Sequence, residues 1–188
     1  MRHIILGSHS PRRRELLAGL HLEFEVKVIE GISEGYPDGL KPMEIAQYIA
    51  AEKAAPYEGL LGANDLLLTA DTIVVVDSQI LGKPHNEEEA KRMLHMISGR
   101  THEVITGVCL ATTTRQKRFA VKTDVTFKVL SEAEIDYYIA HFQPFDKAGA
   151  YGIQEWIGYI GVTQISGSYF NVMGLPVQRV YEEMQELL

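Results

Sequence analysis

The sequence contains one cysteine, no apolar run as long as a membrane span and fewer basic than acidic residues. Because Cys109 stands alone in an apolar stretch, no internal disulfide and no thiolate zinc cluster can form, which fits a reducing compartment. The apolar run near the N-terminus ends at Gly7, too short for a signal peptide or for the roughly 20 residues that a membrane span needs. We therefore expect a cytoplasmic protein with no membrane partner.

The charge balance argues against a general nucleic-acid binder. The chain has 18 Lys and Arg against 25 Asp and Glu, a net charge of −7, whereas duplex binding needs many basic residues on one face. A small anion needs only a local positive pocket. The 188 residues, 46% of them apolar, predict one domain with a substantial core. The oligomeric state stays open, with a homodimer as one alternative.

Residues 4–14 combine a short apolar strand, a turn of small residues and consecutive arginines. Ser10 is a good N-cap and Pro11 suits the first helical position, so the arginines should open a helix. A helix start has unpaired N–H groups and a partial positive charge, and guanidinium groups match phosphate oxygens. This pattern predicts a phosphate site, and the alternative is a capped helix with solvated arginines.

Residues 64–76 are almost all apolar and predict a buried strand, interrupted by Asp71 and Thr72. An ionised carboxylate in such surroundings costs several kcal/mol unless a cation, a metal or hydrogen bonds compensate it. Asp71 therefore either ends the strand at a polar cleft or has a raised pKa, and both are typical of a functional site. The structural alternative is an aspartate that caps a turn between two strands.

Two lysines and a glutamine are further candidates. The helix expected from Pro42 has an apolar face that ends in Lys53, which either snorkels to solvent or reaches inward to an anion. Lys83 follows a predicted strand end. Residues 143–154 form a loop of small residues, in which Gln154 offers both a donor and an acceptor that can read a base edge.

The order of elements predicts a mixed α/β (α+β) domain, a twisted mixed sheet flanked by helices with a central cleft. Alternating patterns predict strands at residues 22–29 and 159–165, among others. The last helix should pack through four apolar positions, Val177, Val180, Tyr181 and Met184.

Five motifs in order along the chain resemble the Maf family of nucleotide pyrophosphatases, which share an architecture with the inosine triphosphatase group. They are Gly-Ser-His-Ser-Pro-Arg-Arg at 7–13, Ala-Asp-Thr at 70–72, Leu-Gly-Lys-Pro at 81–84, Asp-Lys-Ala-Gly-Ala-Tyr-Gly-Ile-Gln at 146–154 and Asn-Val-Met-Gly-Leu-Pro at 171–176. The resemblance covers nearly the whole chain and implies an inosine-triphosphatase-like fold.

The resemblance also implies an activity, the hydrolysis of nucleoside triphosphates to the monophosphate and pyrophosphate with a divalent metal, Mg²⁺ or Mn²⁺. The loop at 146–154 is similar to that of the branch acting on dTTP and UTP. In that branch the matching positions make Asp71 the proton acceptor, and Arg12, Thr72 and Gln154 important for substrate choice. Glu34 and Lys53 match further polar positions of the family's site.

Residues and resemblance together lead to one mechanism. A water attacks the α-phosphorus while Asp71 accepts its proton or holds a metal, with Glu34 as the second metal-binding carboxylate. We expect the phosphates to be held by Ser8, Arg13, Lys53 and Lys83. One alternative is a non-catalytic nucleotide-binding regulator of cell division, which has no need for a buried acid. Another is a sugar-nucleotide or phosphosugar enzyme, which would not depend on a triphosphate.

Overall fold

The computed structural model describes residues 2–187, which form a seven-stranded mixed sheet with helices. The strands are β1 His3–Leu6, β2 Phe24–Val26, β3 Asp65–Val76, β4 Gln79–Leu81, β5 Thr101–Ala111, β6 Gln116–Phe127 and β7 Val162–Ser166. The strand order is β2-β1-β3-β5-β6-β7, with β4 paired to β3. The β1 strand pairs in parallel with β2 and β3, whereas the β3–β4 and β6–β7 pairs are antiparallel. The predicted mixed sheet is thereby confirmed.

Helices connect most of the strands. They are α1 Pro11–Ala18, α2 Pro42–Ala54, α3 Glu87–Ile97, α4 Glu132–Phe142, α5 Trp156–Gly161, α6 Tyr169–Met173 and α7 Val177–Gln185, with single 3-10 turns at Ala55–Tyr57 and Ala148–Ala150. The predicted start of α1 is confirmed, because the Ser10 side chain accepts a hydrogen bond from the Arg13 N–H and Pro11 occupies the first turn. In the described residues no helix is long and apolar enough to cross a membrane.

The chain divides into two compact units. Unit 1 comprises residues 2–72, 106–121 and 174–187 of the described chain, and unit 2 comprises residues 73–105 and 122–173. The division falls directly after Thr72, so the Asp71–Thr72 pair that interrupts the apolar run is the last part of β3 in unit 1.

In unit 1, helix α2 packs closely against β5. A methyl group at Gly107 would overlap the backbone carbonyl of Ala46, so only glycine permits this approach. The buried apolar residues of one cluster in this unit are Ile5, Ala50, Ala51, Ala54, Tyr57, Leu67, Cys109 and Ala111. This packing fixes the helix that carries Lys53.

In unit 2, a larger apolar cluster surrounds helices α3 and α4. Its members include Val74, Val76, Leu81, Met93, Leu94, Ile97, Val104, Val125, Phe127, Ile135, Tyr138, Ile139, Tyr151, Ile153 and Ile157. A buried histidine, His102, lies among these residues, with its ring edge-on to Tyr151 and its Nε2 within 2.6 Å of the Tyr151 hydroxyl.

Three expectations from the sequence need correction. The predicted strand at 22–29 is reduced to β2, Phe24–Val26. Residues 159–161 are helical rather than extended, because they complete α5, and β7 begins only at Val162. On α7, Val180 and Met184 are fully buried, but Tyr181 is 47% exposed and therefore does not belong to the inner face.

Candidate functional site

Asp71 has a cationic partner inside unit 1. Asp71 lies on β3 and is 8% exposed. Its Oδ1 accepts a hydrogen bond from Lys53 Nζ at 2.7 Å. Helix α2 presents this lysine in its last turn, at the end of the apolar face that the sequence predicts. The Lys53 ammonium compensates the charge of a carboxylate that lies in a buried strand. Removal of one partner from a buried ion pair lowers the free energy of unfolding by about 3–5 kcal/mol.

Glu34 joins the same ammonium from a loop. Lys53 Nζ donates to Glu34 Oε1 at 2.8 Å, and the side chain of Glu34 is half exposed while that of Lys53 is 17% exposed. Two carboxylates therefore meet at one cation, one from a buried strand and one from a surface segment. Lys53 thus points inward, to the protein's own Asp71, and its expected contact with a phosphate stays a prediction.

Arg13 is held by neutral oxygens beside Asp71. Its Nε donates to the Gly174 carbonyl at 2.8 Å, its Nη1 to Ser8 Oγ at 3.3 Å and its Nη2 to Thr72 Oγ1 at 3.1 Å. Burial lowers the pKa of Arg13 and the Asp71 charge opposes that shift, yet a guanidinium stays protonated at neutral pH. These contacts use only part of the donors of the fork, so it keeps donors for an anion.

The surroundings of Arg13 hold it in one place. The Thr72 hydroxyl lies 2.8 Å from that of Thr106, which is fully buried on β5. Ser8 is 8% exposed and its Oγ also accepts the Ser10 N–H at 3.3 Å. Arg12 precedes Arg13 in α1, and its charge contributes to the lowered pKa of Arg13. We call the residues Ser8, Arg13, Glu34, Lys53, Asp71 and Thr72 the Arg13–Asp71 cluster.

The other two predicted site residues lie in unit 2. Lys83 is exposed and follows β4, next to Gly82, whose carbonyl accepts the Gly149 N–H at 3.0 Å. Lys83 thus stands beside the loop that ends in Gln154. The Oε1 atom of Gln154 is buried and has no hydrogen-bond partner among the described residues. An orphaned buried acceptor costs about 1–3 kcal/mol, which favours a site where a ligand supplies the missing donor.

Sequence reasoning missed a group of polar residues around this loop. Lys147 is 8% exposed and pairs with Asp146 Oδ1 at 2.7 Å and Glu155 Oε1 at 3.1 Å. The Tyr138 hydroxyl donates to Glu155 Oε2 and accepts the Gly152 N–H at 3.0 Å. The available signal was a lysine embedded among small and aromatic residues in the 146–154 motif.

The carboxylates of the cluster fit a divalent metal that arrives with a nucleotide. Within residues 2–187, no three His, Cys, Asp or Glu side chains are grouped so that they could hold a metal ion by themselves. Mg²⁺, however, usually binds one or two carboxylates together with substrate phosphates. Glu34 and Asp71 already converge on one cation, the Lys53 ammonium, so the donor set suits such a metal.

Comparisons with known proteins agree with this reading of the motifs. The family described as "Maf-like protein" matches residues 3–187. A protein of Phocaeicola vulgatus named dTTP/UTP pyrophosphatase is 60% identical over 184 residues, covering 98% of this chain and 95% of the relative. A protein of Porphyromonas gingivalis with the same name is 52% identical over 97% of this chain and 93% of the relative.

The fold is also found in a solved structure. A HAM1 protein from Coxiella burnetii matches with a TM-score of 0.52 and 15% identity, covering 99% of this chain and 100% of that one. This likeness supports the mixed sheet flanked by helices and nothing finer. On its motifs and on the near-complete family match, the chain belongs to the Maf family.

Proposed function

We propose that this chain hydrolyses nucleoside triphosphates, dTTP and UTP above others, to the monophosphate and pyrophosphate. The observation that carries the proposal is the Arg13–Asp71 cluster, in which a buried acid is held by Lys53 and its neighbour Thr72 is bound by Arg13. A polyanion and an attacking water need such a combination of cations and a base. The name dTTP/UTP pyrophosphatase of the similar proteins points to the same reaction.

In this proposal Asp71 is the proton acceptor for the water that attacks the α-phosphorus. It suits this role because it is 8% exposed and lies where two polar residues interrupt the apolar residues of β3. Lys53 Nζ donates a hydrogen bond to its Oδ1 at 2.7 Å. A positioned general base contributes about 10²- to 10⁴-fold to the rate. The second carboxylate oxygen is then the acceptor for the proton of the water.

The phosphates are held by Ser8, Arg13, Lys53 and Lys83. Arg13 is oriented by three neutral acceptors, and a guanidinium fixed in this way matches phosphate oxygens in a bidentate manner. Ser8 offers its hydroxyl next to that guanidinium. Positive groups fixed before the substrate binds stabilise charge on the leaving pyrophosphate without reorganisation.

A divalent metal, Mg²⁺ or Mn²⁺, bound by Glu34 and Asp71 would neutralise further phosphate charge. These two carboxylates converge on Lys53, which is proposed to bind phosphate oxygens beside the site that would hold the metal.

Gln154, Arg12 and Thr72 are proposed to determine which base is accepted. Gln154 Oε1, which has no partner in residues 2–187, suits the N3–H donor of uracil and thymine, whereas cytosine presents an acceptor at N3. A site built around such a pair rejects the wrong base because its own polar groups stay unpaired, at about 1–3 kcal/mol each. The proposal places the enzyme in the cytoplasm with these nucleotides, in keeping with the buried free Cys109.

Pyrophosphate release from a panel of substrates tests this function. The purified protein is incubated with dTTP, UTP, CTP, dATP, GTP and a UDP-sugar, each with Mg²⁺, with Mn²⁺ or with a chelator. We expect release from dTTP and UTP that depends on the metal and little release from the others. Binding of UTP without any hydrolysis would support the regulator instead, and turnover of the UDP-sugar would support the phosphosugar enzyme.

A further inference from the structure

We propose that Glu155 is a positioning residue that holds the Gln154 amide for base selection, and that Lys147 and Tyr138 hold Glu155 in turn. The inference rests on the proposed function and names further residues that set its substrate preference. All four residues belong to unit 2.

The first support is the ion pair between Glu155 and Lys147. Lys147 Nζ lies 3.1 Å from Glu155 Oε1, and the two side chains are 9% and 20% exposed. The other partner of Lys147, Asp146, is 57% exposed. Because a partly buried pair is screened less by salt and solvent than an exposed one, the contact with Glu155 is the better shielded of the two.

The second support is the hydroxyl of Tyr138, which joins the carboxylate to the loop backbone. Tyr138 is fully buried on α4. Its hydroxyl donates to Glu155 Oε2 and accepts the Gly152 N–H at 3.0 Å. The two oxygens of Glu155 therefore have separate partners, so the carboxylate is fixed in orientation as well as in position.

The third support is the position of the Gln154 amide near this pair. A methyl group at Gly152 would lie 3.0 Å from Gln154 Nε2, 3.0 Å from Lys147 Cε and 3.1 Å from Glu155 Cδ. The amide nitrogen and the two side chains of the ion pair thus line the same space beside Gly152, which a side chain at that position would fill. Since Gln154 Oε1 is buried without a partner among the described residues, its value as an acceptor depends on the amide being held in one orientation.

Steady-state kinetics on UTP and CTP test the proposal. The variants are Glu155→Gln, which keeps the shape but removes the charge, and Tyr138→Phe, which removes the bridging hydroxyl. Each is also made in a Gln154→Ala background. The matched control is Glu103→Gln, because Glu103 forms an exposed ion pair with Lys122 at 2.8 Å in the same unit. Thermal unfolding is recorded for every variant.

We expect Glu155→Gln to lower the UTP-over-CTP ratio of kcat/KM by about tenfold, with a higher KM for UTP and a nearly unchanged kcat. Tyr138→Phe should lower the ratio less, and Glu103→Gln should not change it. In the Gln154→Ala background neither variant should lower the ratio further, because residues that act through one another are not additive.

Three results overturn the positioning role. They are an unchanged ratio in both variants, a loss of equal size with and without Gln154, and a wild-type enzyme that does not distinguish UTP from CTP. If the first of these results comes with a lower melting temperature, Glu155 and Tyr138 have a structural role alone. If the wild type releases no pyrophosphate, the proposed function fails separately. In that case, calorimetric titrations with UMP and CMP give the ratio of their affinities, which replaces the ratio of kcat/KM as the readout of base preference.

Discussion

The two units hold their functional polar groups in opposite ways. In unit 1 the charges of the Arg13–Asp71 cluster are balanced inside the protein, with Lys53 bonded to Asp71 at 2.7 Å and to Glu34 at 2.8 Å. In unit 2 the ion pair of Lys147 and Glu155 lies near a neutral amide, that of Gln154, whose Oε1 has no hydrogen-bond partner among the described residues. Charges arranged around an acid suit the chemical step, whereas an unpaired hydrogen-bond acceptor suits the discrimination of one base from another. In the proposed function, unit 1 therefore supplies the residues of the chemical step and unit 2 the residues that set base preference.

The largest expected effect is that of Asp71→Asn in unit 1. Loss of the base should reduce kcat about 10²- to 10⁴-fold, with the UTP-over-CTP ratio unchanged. The measurement is pyrophosphate release from UTP and CTP, with circular dichroism to confirm folding. Asp136→Asn, an exposed aspartate on α4 that pairs with Lys91 at 2.7 Å, is the control. Near-wild-type turnover of Asp71→Asn would remove this residue from the mechanism.

The next effect in size is that of Arg13→Lys. A lysine cannot keep the three contacts with Gly174, Ser8 and Thr72, so we expect KM for UTP to rise about 10- to 100-fold. Titration of UTP, with pyrophosphate as the readout, gives this value. The neighbouring Arg14 is exposed, and Arg14→Lys should behave as wild type. Equal losses in the two variants would contradict a specific role for the three contacts of Arg13.

In unit 2 a smaller effect is expected from Gln154→Ala. The ratio of kcat/KM for UTP over CTP should fall about tenfold, while kcat on UTP changes little. Gln164 is exposed on β7 in the same unit, so Gln164→Ala is the matched control. If the preference for UTP survives, the base is read elsewhere, and the division of labour between the units is wrong.

The smallest expected effect is that of His102→Phe on the free energy of unfolding. It should be small at neutral pH and larger in acid. Burial lowers the pKa of His102 to about 4, from an ordinary histidine value of 6.5. The unfolded chain thus binds the proton first as the pH falls, so His102 should cost about 3 kcal/mol of stability between pH 6.5 and pH 4. Urea unfolding at several pH values should give a flatter profile for His102→Phe.

A control on an exposed histidine separates this effect from general acid denaturation. His141 lies on the solvent side of α4, and His141→Phe should keep the pH profile of the wild type. A stability difference between wild type and His102→Phe that is the same at every pH contradicts the prediction. Either outcome concerns unit 2, where His102 Nε2 lies 2.6 Å from the hydroxyl of Tyr151, a residue of the loop that ends in Gln154.

The sequence predicts best what is encoded locally. The start of α1 follows from Ser10 and Pro11, which act on their own turn, and it is confirmed. The buried strand around Asp71 follows from the run of apolar residues. Helical periodicity places Lys53 at the end of the apolar face of α2, but it leaves open whether the side chain turns to solvent or inward, which only the contact with Asp71 decides. A pattern of neighbouring residues therefore predicts the elements that carry the Arg13–Asp71 cluster.

Features that depend on distant packing were wrong or missed. Residues 159–161 are expected from the sequence to be extended but complete helix α5, in which Gly158 packs so closely on the Ile153 carbonyl that a methyl group there would overlap it. The pairing of Lys147 with Glu155 needs a reversal of the loop, made by Gly149 at φ 70° and Ala150 at φ 60°. No periodic pattern encodes such a reversal. The roles assigned to the site residues stay predictions that the variants above address.

The close approach of α2 to β5 at Gly107 has a genetic consequence. Any side chain there must push the Ala46 carbonyl and its helix outward, and Lys53 lies about two turns further along that helix. A substitution at a position that touches no ligand would thus separate the ammonium from Asp71. Loss-of-function alleles of this protein should therefore include changes at Gly107, and such alleles would be misread as damage to stability alone.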